Sequence, residues 1–66
     1  MKITLNGEPR DIPDGLTLSS LLGHLGITPE IVAIERNLDI VSRNDWPVTR
    51  VEEADNIEIV HFVGGG

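Results

Sequence analysis

The chain has 66 residues, no cysteine and a formal net charge of −6, from eleven acidic and five basic side chains. This length allows one domain with a small core and leaves no room for an enzyme cleft. The absence of cysteine excludes thiol catalysis, zinc–thiolate sites and redox chemistry on the chain's own sulfur. The acidic surface disfavours nucleic acid and favours a locally basic partner. No apolar stretch approaches the roughly 18 residues of a membrane span and no signal-peptide pattern is present, so we expect a cytoplasmic protein.

The N-terminal region predicts a β-hairpin. Residues 2–5 alternate polar and apolar side chains, the period of a half-buried strand. Asn6-Gly7 follows as a hairpin turn, because both residue types tolerate positive φ. Pro9 lacks an amide hydrogen, so we expect the returning strand to lie at a sheet edge. The turn at 13–15 ends this strand.

A helix is predicted from a leucine stripe at helical spacing. Thr17 is its expected N-cap and Gly26 its expected C′ residue, which places Ile27 at C″ beside Leu22. His24 in the last turn is expected to face solvent, and no second titrating residue supports a catalytic role for it. The stripe consists of Leu18, Leu21, Leu22 and Leu25.

The second half predicts three more strands. The apolar run 31–35 is typical of a well-covered strand, 37–39 of a turn, and 40–41 of a short partner strand. Trp46-Pro47 suggests one helical turn, with Trp46 packed on the core rim; stacking of Trp46 on a ligand is the sharper alternative. An acidic turn at 52–55 then leads to the final strand.

This element order favours an α+β fold, a mixed sheet wrapped on one helix, which is the β-grasp architecture. Strands one and five carry no proline and are expected to be central and parallel. We expect the β-grasp domain to occupy residues 1–63 and a flexible glycine tail to occupy residues 64–66.

Alternation in the final strand predicts an exposed apolar surface. Ile57 and Ile59 should face the helix with Ile3 and Leu5, which turns Glu58, Val60 and Phe62 to the opposite side. Apolar side chains exposed beside a chain terminus indicate a docking patch. We expect its partner-binding residues to be Val60, Phe62 and Val63.

The chain ends in three glycines, Gly64, Gly65 and Gly66. Glycine packs nothing and loses the most freedom on ordering, so these residues add no stability to the fold. Extended, they reach roughly 10 Å and can carry a bare carboxylate into a narrow active site on another protein. The alternative is a frayed terminus without function.

The sequence contains no constellation for chemistry of its own. His24 and His61 lie far apart in the sequence, and Glu52-Glu53 is typical of a solvated turn and not of a catalytic pair. We expect no catalytic residue, no metal site and no bound cofactor. The α-carboxylate of Gly66 is the reactive group that the sequence leaves exposed.

Motifs along nearly the whole chain resemble the ThiS sulfur carriers of thiamine biosynthesis, which are ubiquitin-like β-grasp proteins. The most specific motif is the middle block with Arg43-x-x-Trp46. Two residues depart from the family pattern: Ser42 stands where proline is common, and Ala54 where glycine often lies between two acids. If Ala54 requires positive φ, it costs about 1 kcal/mol. The other shared motifs are Asn6-Gly7, Leu18-x-x-Leu21-Leu22, residues 33–37, residues 40–42 and residues 55–60 before the glycine end.

The resemblance implies a carrier and not an enzyme. A ThiF-type adenylyltransferase would thread Gly64 and Gly65 toward its own ATP and adenylate Gly66, and a persulfide donor would convert the adenylate to a thiocarboxylate. A ThiG-type thiazole synthase would then receive the sulfur. The alternatives are a carrier for molybdopterin or another sulfur metabolite, a ubiquitin-like protein modifier, and a plain interaction domain.

Overall fold

The structure is a computed structural model that describes residues 1–62. Five strands form one mixed sheet in the order β2-β1-β5-β3-β4, and one helix packs against it. No helix within residues 1–62 is long and apolar enough to cross a membrane. The strands are β1 (Lys2–Leu5), β2 (Glu8–Asp11), β3 (Val32–Arg36), β4 (Asp39–Val41) and β5 (Asn56–His61); the helix is α1 (Leu18–Leu25), and single 3₁₀ turns span Pro29–Ile31 and Arg43–Asp45.

The first hairpin forms as predicted. Asn6 and Gly7 have φ of 50° and 83°, so both central residues of this two-residue turn have positive φ. β2, which contains Pro9, is an edge strand. The Asn6 side chain has a second role, because its Oδ1 accepts a hydrogen bond from the amide of Ile59 at 2.8 Å. The turn therefore also fastens the middle of β5.

β5 is the central strand. It pairs in parallel with β1, where Leu5 lies opposite Ile57, and antiparallel with β3, where Ile34 lies opposite Ile59. The prediction that the first and last strands are central and parallel is confirmed. Because β5 has neighbours on both sides, its direction is fixed by two ladders.

Both predicted ends of α1 are confirmed. Thr17 Oγ1 accepts from the Ser20 amide at 3.2 Å, and Ser20 Oγ accepts from the Thr17 amide at 2.7 Å, which completes a capping box. Gly26 ends the helix with φ of 71°, and the Ile27 amide donates to the Leu22 carbonyl at 2.9 Å. This bond is the one expected of a Schellman ending.

The core lies between α1 and one face of the sheet. Two sequence expectations need correction here. The run 31–35 is covered on one side only, since Val32 and Ile34 are buried while Ile31 is exposed. Trp46 is buried in the core and not on its rim, because the segment 46–49 is held against α1, where the Ser19 amide donates to the Trp46 carbonyl and the Leu18 amide to the Thr49 carbonyl. The buried apolar residues are Ile3, Ile12, Leu18, Leu21, Leu22, Val32, Ile34, Trp46, Val51, Ile57 and Ile59, with Leu5 and Leu25 partly buried beside them.

Two turns hold residues other than glycine or asparagine at positive φ. Leu38, in the turn between β3 and β4, has φ of 74°, and Ala54, just before β5, has φ of 70°. Residues other than glycine rarely adopt this left-handed backbone conformation, because their Cβ atom approaches the backbone too closely. The sequence expectation for Ala54 is therefore met, and Leu38 carries the same kind of strain.

Candidate functional site

The C-terminal end of β5 exposes an apolar surface. Ile57 and Ile59 are buried against the helix, whereas Val60 and Phe62 on the opposite face are 49% and 57% exposed. The amide of Phe62 donates to the carbonyl of Ile31 at 2.8 Å, which fixes the backbone there. The predicted placement of Val60 and Phe62 on the open face thus matches the structure.

The remaining predicted site residues fall outside the described residues. These are Val63 of the docking patch, the threading residues Gly64 and Gly65, and Gly66, whose carboxylate is the expected reactive group. The proposed boundary between domain and tail lies there as well.

β3 adds apolar residues that the sequence analysis missed. Ala33 pairs with Val60, and exposed Ile31 lies beside Phe62 through the bond to its amide. Residues paired across antiparallel strands share a face, so these side chains extend the patch sideways. We name Ile31, Ala33, Val60 and Phe62 the tail-side patch. The signal that could have found it was the alternation within 31–35, once the pairing of β3 with β5 was known.

Two carboxylates border the tail-side patch. Glu35 lies directly opposite Glu58 in the β3–β5 ladder, and like charges in this position destabilise a sheet. The ion pairs within residues 1–62 join Met1 to Asp14 and Arg36 to Glu52 and Asp55, so neither glutamate takes part in one. The open face is therefore apolar near the chain's end and acidic one row away, a surface complementary to a basic partner.

A hydrogen-bonded network around the buried carboxylate of Asp55 holds the start of β5. Asp55 Oδ2 accepts hydrogen bonds from Arg36 Nε and from the Glu52 amide, both at 2.8 Å, and Oδ1 accepts from Asn37 Nδ2 at 3.2 Å. The Asn37 Oδ1 in turn accepts from the Asn56 amide at 2.9 Å. The network therefore joins the turn after β3 to the turn before β5.

The network also sets the pKa of Asp55. Burial raises the pKa of this carboxyl, but the hydrogen bonds from Arg36, the Glu52 amide and Asn37 outweigh burial and hold the pKa below its ordinary value. The hydrogen bond to Asp55 raises the pKa of Arg36, a shift that burial opposes only in part. Both groups are thus charged at neutral pH, and each neutralises the other.

Arg43 and Trp46, the most specific motif, contact each other and bond backbone carbonyls of the segment that leads into β3 and of β4. Arg43 Nη1 donates to the Pro29 carbonyl at 2.6 Å and Nη2 to the Val32 carbonyl at 3.1 Å. Its guanidinium carbon lies 4.5 Å from the centre of the Trp46 ring, a cation–π contact. The Trp46 indole Nε1 donates to the Val41 carbonyl at 3.0 Å. Trp46 is thus committed to packing and not to stacking on a ligand.

Titratable side chains within residues 1–62 have structural or solvent-facing positions. His24 is exposed in the last turn of α1, and exposed His61 lies opposite Val32 at the end of β5. Glu52 pairs with Arg36, and Glu53 accepts from the Lys2 amide at 3.2 Å. Within this described part, no group of three potential metal ligands comes together.

A mixed sheet of five strands on one helix, with its central strand leading to the chain's end, defines the ubiquitin-like β-grasp class. The chain matches the model of the ThiS family over residues 3–66 and belongs to this family. This chain is 32% identical to the thiamine biosynthesis protein ThiS from Geobacter metallireducens. Its structure matches the crystal structure of that protein with a TM-score of 0.87, and the match covers both chains fully. The predicted family and fold class are confirmed.

Relatives of two lengths match the chain. The sulfur carrier protein ThiS of Bacillus subtilis is 40% identical over 50 residues, 76% of each chain. The thiazole synthase of Magnetococcus marinus is 53% identical over all 66 residues, and the thiazole synthase of Paramagnetospirillum magneticum is 44% identical. The chain spans 20% of the length of each of these two synthases.

Proposed function

We propose that this protein is a sulfur carrier in the formation of the thiazole of thiamine, and that Gly66 bears the sulfur as a C-terminal thiocarboxylate. The observation that supports this most directly is that β5, the central strand, ends at His61 beside an exposed apolar patch, and that the sequence reaches its glycines only three residues later. The carrier supplies a surface that its partners recognise and a tail that reaches their active sites, and the partners supply catalysis.

The chemistry starts with activation of the Gly66 carboxylate. A carboxylate is a poor electrophile because oxide is a poor leaving group. Its oxygen attacks the α-phosphorus of ATP, pyrophosphate leaves, and the product is an acyl-adenylate. The ATP belongs to a ThiF-type adenylyltransferase, and the carrier itself binds no cofactor.

Sulfur then replaces AMP. The terminal sulfur of a persulfide attacks the acyl carbon, AMP departs, and an acyl disulfide joins carrier and donor. A second thiol attacks the donor sulfur of this disulfide, which releases the thiocarboxylate and leaves a disulfide between the two thiols. The thiocarboxylate is a far better nucleophile than the carboxylate, so a ThiG-type thiazole synthase can take the sulfur from it.

Three features support the proposal that the chain is a carrier and that its partners are the enzymes. The match to one fifth of two thiazole synthases favours a ThiG-type partner. Val60 and Phe62, with Val63 next along the chain, offer an apolar surface to a partner, and Gly64 and Gly65 suit a narrow channel because they have no side chains. The chain is accordingly a recycled cosubstrate of cytoplasmic enzymes.

Intact mass spectrometry tests the proposal. After incubation with the ThiF-type enzyme of the same organism, ATP and a persulfide source, we expect the mass gain of one oxygen replaced by sulfur. Oxidation of Met1 adds nearly the same mass, so fragmentation must place the gain on the C-terminal glycines, and iodoacetamide must alkylate it.

A variant lacking Gly65 and Gly66 is the matched control, and it should gain no mass with ATP. If the full-length chain also gains none, the sulfur-carrier proposal fails. High-mass conjugates in lysate that survive boiling and thiols would instead identify a protein modifier whose Gly66 forms an amide with lysine.

A further inference from the structure

The turn between β3 and β4 has a conformation that its sequence makes costly. Asn37 and Leu38 form a two-residue loop with φ of 52° and 74°. The second position of such a turn usually holds glycine, because a side chain there is strained. Leu38 is 80% exposed, so packing within this chain does not compensate the strain. Strain of this kind concentrates at functional positions.

A second exposed apolar residue follows it. Ile40 on the edge strand β4 is 78% exposed. It pairs with Glu35, which pairs with Glu58, so Ile40 lies on the open face of the sheet. We name Leu38 and Ile40 the hairpin patch. Exposed apolar side chains on an edge strand favour aggregation, and packing within the described residues does not offset this second disadvantage.

Ile40 lies on the same face of the sheet as the tail-side patch, in the row of Glu35 and Glu58 and one row from Ala33 and Val60. Leu38 lies in the turn between β3 and β4. Arg36, at the end of β3, pairs with Ile57 near the start of β5, so the turn that holds Leu38 lies at the opposite end of the β3–β5 ladder from Phe62. The six residues of β5 extend over roughly 20 Å at about 3.3 Å each. A specific interface buries about 800 Å² per partner, a footprint roughly 30 Å across. The tail-side patch alone is too small for this, whereas a footprint that includes the hairpin patch fits.

We propose that the hairpin patch is a second anchor for the ATP-dependent activating enzyme, which the tail-side patch and the tail also engage. This inference rests on the proposed function. A glycine tail carries no side chains and cannot distinguish one carrier from another, so selection must use the folded surface. The activating enzyme makes that selection before ATP is spent.

The surface also defines what this partner presents. Leu38 and Ile40 require an apolar area, and the Glu35–Glu58 pair, in the same row as Ile40, favours a lysine or arginine side chain opposite it. Removal of the hairpin patch therefore weakens docking and leaves the chemistry at the tail unchanged.

Leu38→Gly separates fold from function, because it relieves strain and removes the contact at once. We expect a higher melting temperature together with about tenfold lower kcat/KM in ATP–pyrophosphate exchange, with kcat unchanged. Ile40→Thr retains a β-branched side chain and should lower kcat/KM in the same way.

Two control variants match these changes. Ala54→Gly relieves the same positive φ at a turn beside β1, where the Ala54 amide bonds the Lys2 carbonyl, and should raise stability with exchange unaltered. Val48→Ser removes an exposed valine that lies outside the sheet and should also exchange as the parent chain does.

Parent-like kcat/KM for Leu38→Gly and Ile40→Thr would overturn the anchor while the proposed function stands. A loss of affinity limited to the thiazole synthase would assign the patch to that partner and overturn it as well. If the parent chain supports no exchange with the ThiF-type enzyme of its own organism, the proposed function fails, and the anchor fails with it.

Discussion

The two ends of β5 are built in opposite ways. At its start, Asp55 is buried and accepts hydrogen bonds from Arg36, Asn37 and the Glu52 amide. At its end, Phe62 bonds one carbonyl, and its side chain is mostly exposed. The network stabilises the start of β5, and we propose that the end of β5 contacts a partner. Mutations at the start should therefore change unfolding, and mutations at the end should change binding.

The largest effect on stability is expected at the start. Asp55→Ala leaves the guanidinium of Arg36 without its main partner and should lower the free energy of unfolding by about 3 kcal/mol. Glu52→Ala removes an exposed partner of the same guanidinium and should cost only a few tenths of a kcal/mol. Urea unfolding measures both. Equal losses for the two variants would show that burial of Asp55 is not what makes the network strong.

The same network predicts a pH dependence. The folded pKa of Asp55 lies below its unfolded value of about 3.9, so its contribution is complete above that pH and is lost as the pH falls through the folded pKa. The stability difference between the parent and Asp55→Asn should therefore shrink below about pH 4. A difference that stays constant from neutral pH to pH 2 would contradict the assigned shift.

At the other end, substitution in the tail should affect activity alone. Gly65→Ala should leave thermal unfolding unchanged and lower ATP–pyrophosphate exchange by up to about 100-fold, because a methyl group in a channel fitted to backbone displaces the reacting carboxylate. Equal exchange rates for the variant and the parent would count against a narrow channel.

Phe62→Ala tests the patch beside the tail. Truncation of an aromatic hot spot commonly costs about 2 kcal/mol, so binding to the ThiF-type enzyme should weaken roughly thirtyfold. The melting temperature should not change, since the Phe62 side chain is exposed. Unchanged affinity with unchanged melting would remove Phe62 from the docking surface.

Local sequence signals predicted the local structure well, and long-range pairing limited the rest. The leucine spacing, Thr17, Gly26 and Asn6-Gly7 act within a few residues, so the helix, its ends and the first hairpin could be predicted. The bond from Ile59 to Asn6 joins residues 53 apart, and that from Arg36 to Asp55 joins residues 19 apart. No periodicity encodes such partners.

The candidate site shows the same limit. Alternation alone placed Val60 and Phe62 on the open face, because side-chain direction along one strand needs no partner strand. Ile31, Ala33 and Ile40 join that face only through the register of β3 with β5 and β4. Burial of Trp46 likewise depends on a loop that is bonded to the start of the helix, where the Leu18 amide donates to the Thr49 carbonyl.

The smallest effect is expected at Ala54, on the side of β5 that is built for stability. Its φ of 70° suits glycine, so Ala54→Gly should raise the free energy of unfolding, by about 1 kcal/mol at most. The greater freedom of glycine in the unfolded chain offsets part of the gain. Thermal and urea unfolding should both register the increase, and ATP–pyrophosphate exchange should match that of the parent. A loss of stability would mean that the entropy of the unfolded chain outweighs the strain, and that alanine is the better residue in this turn.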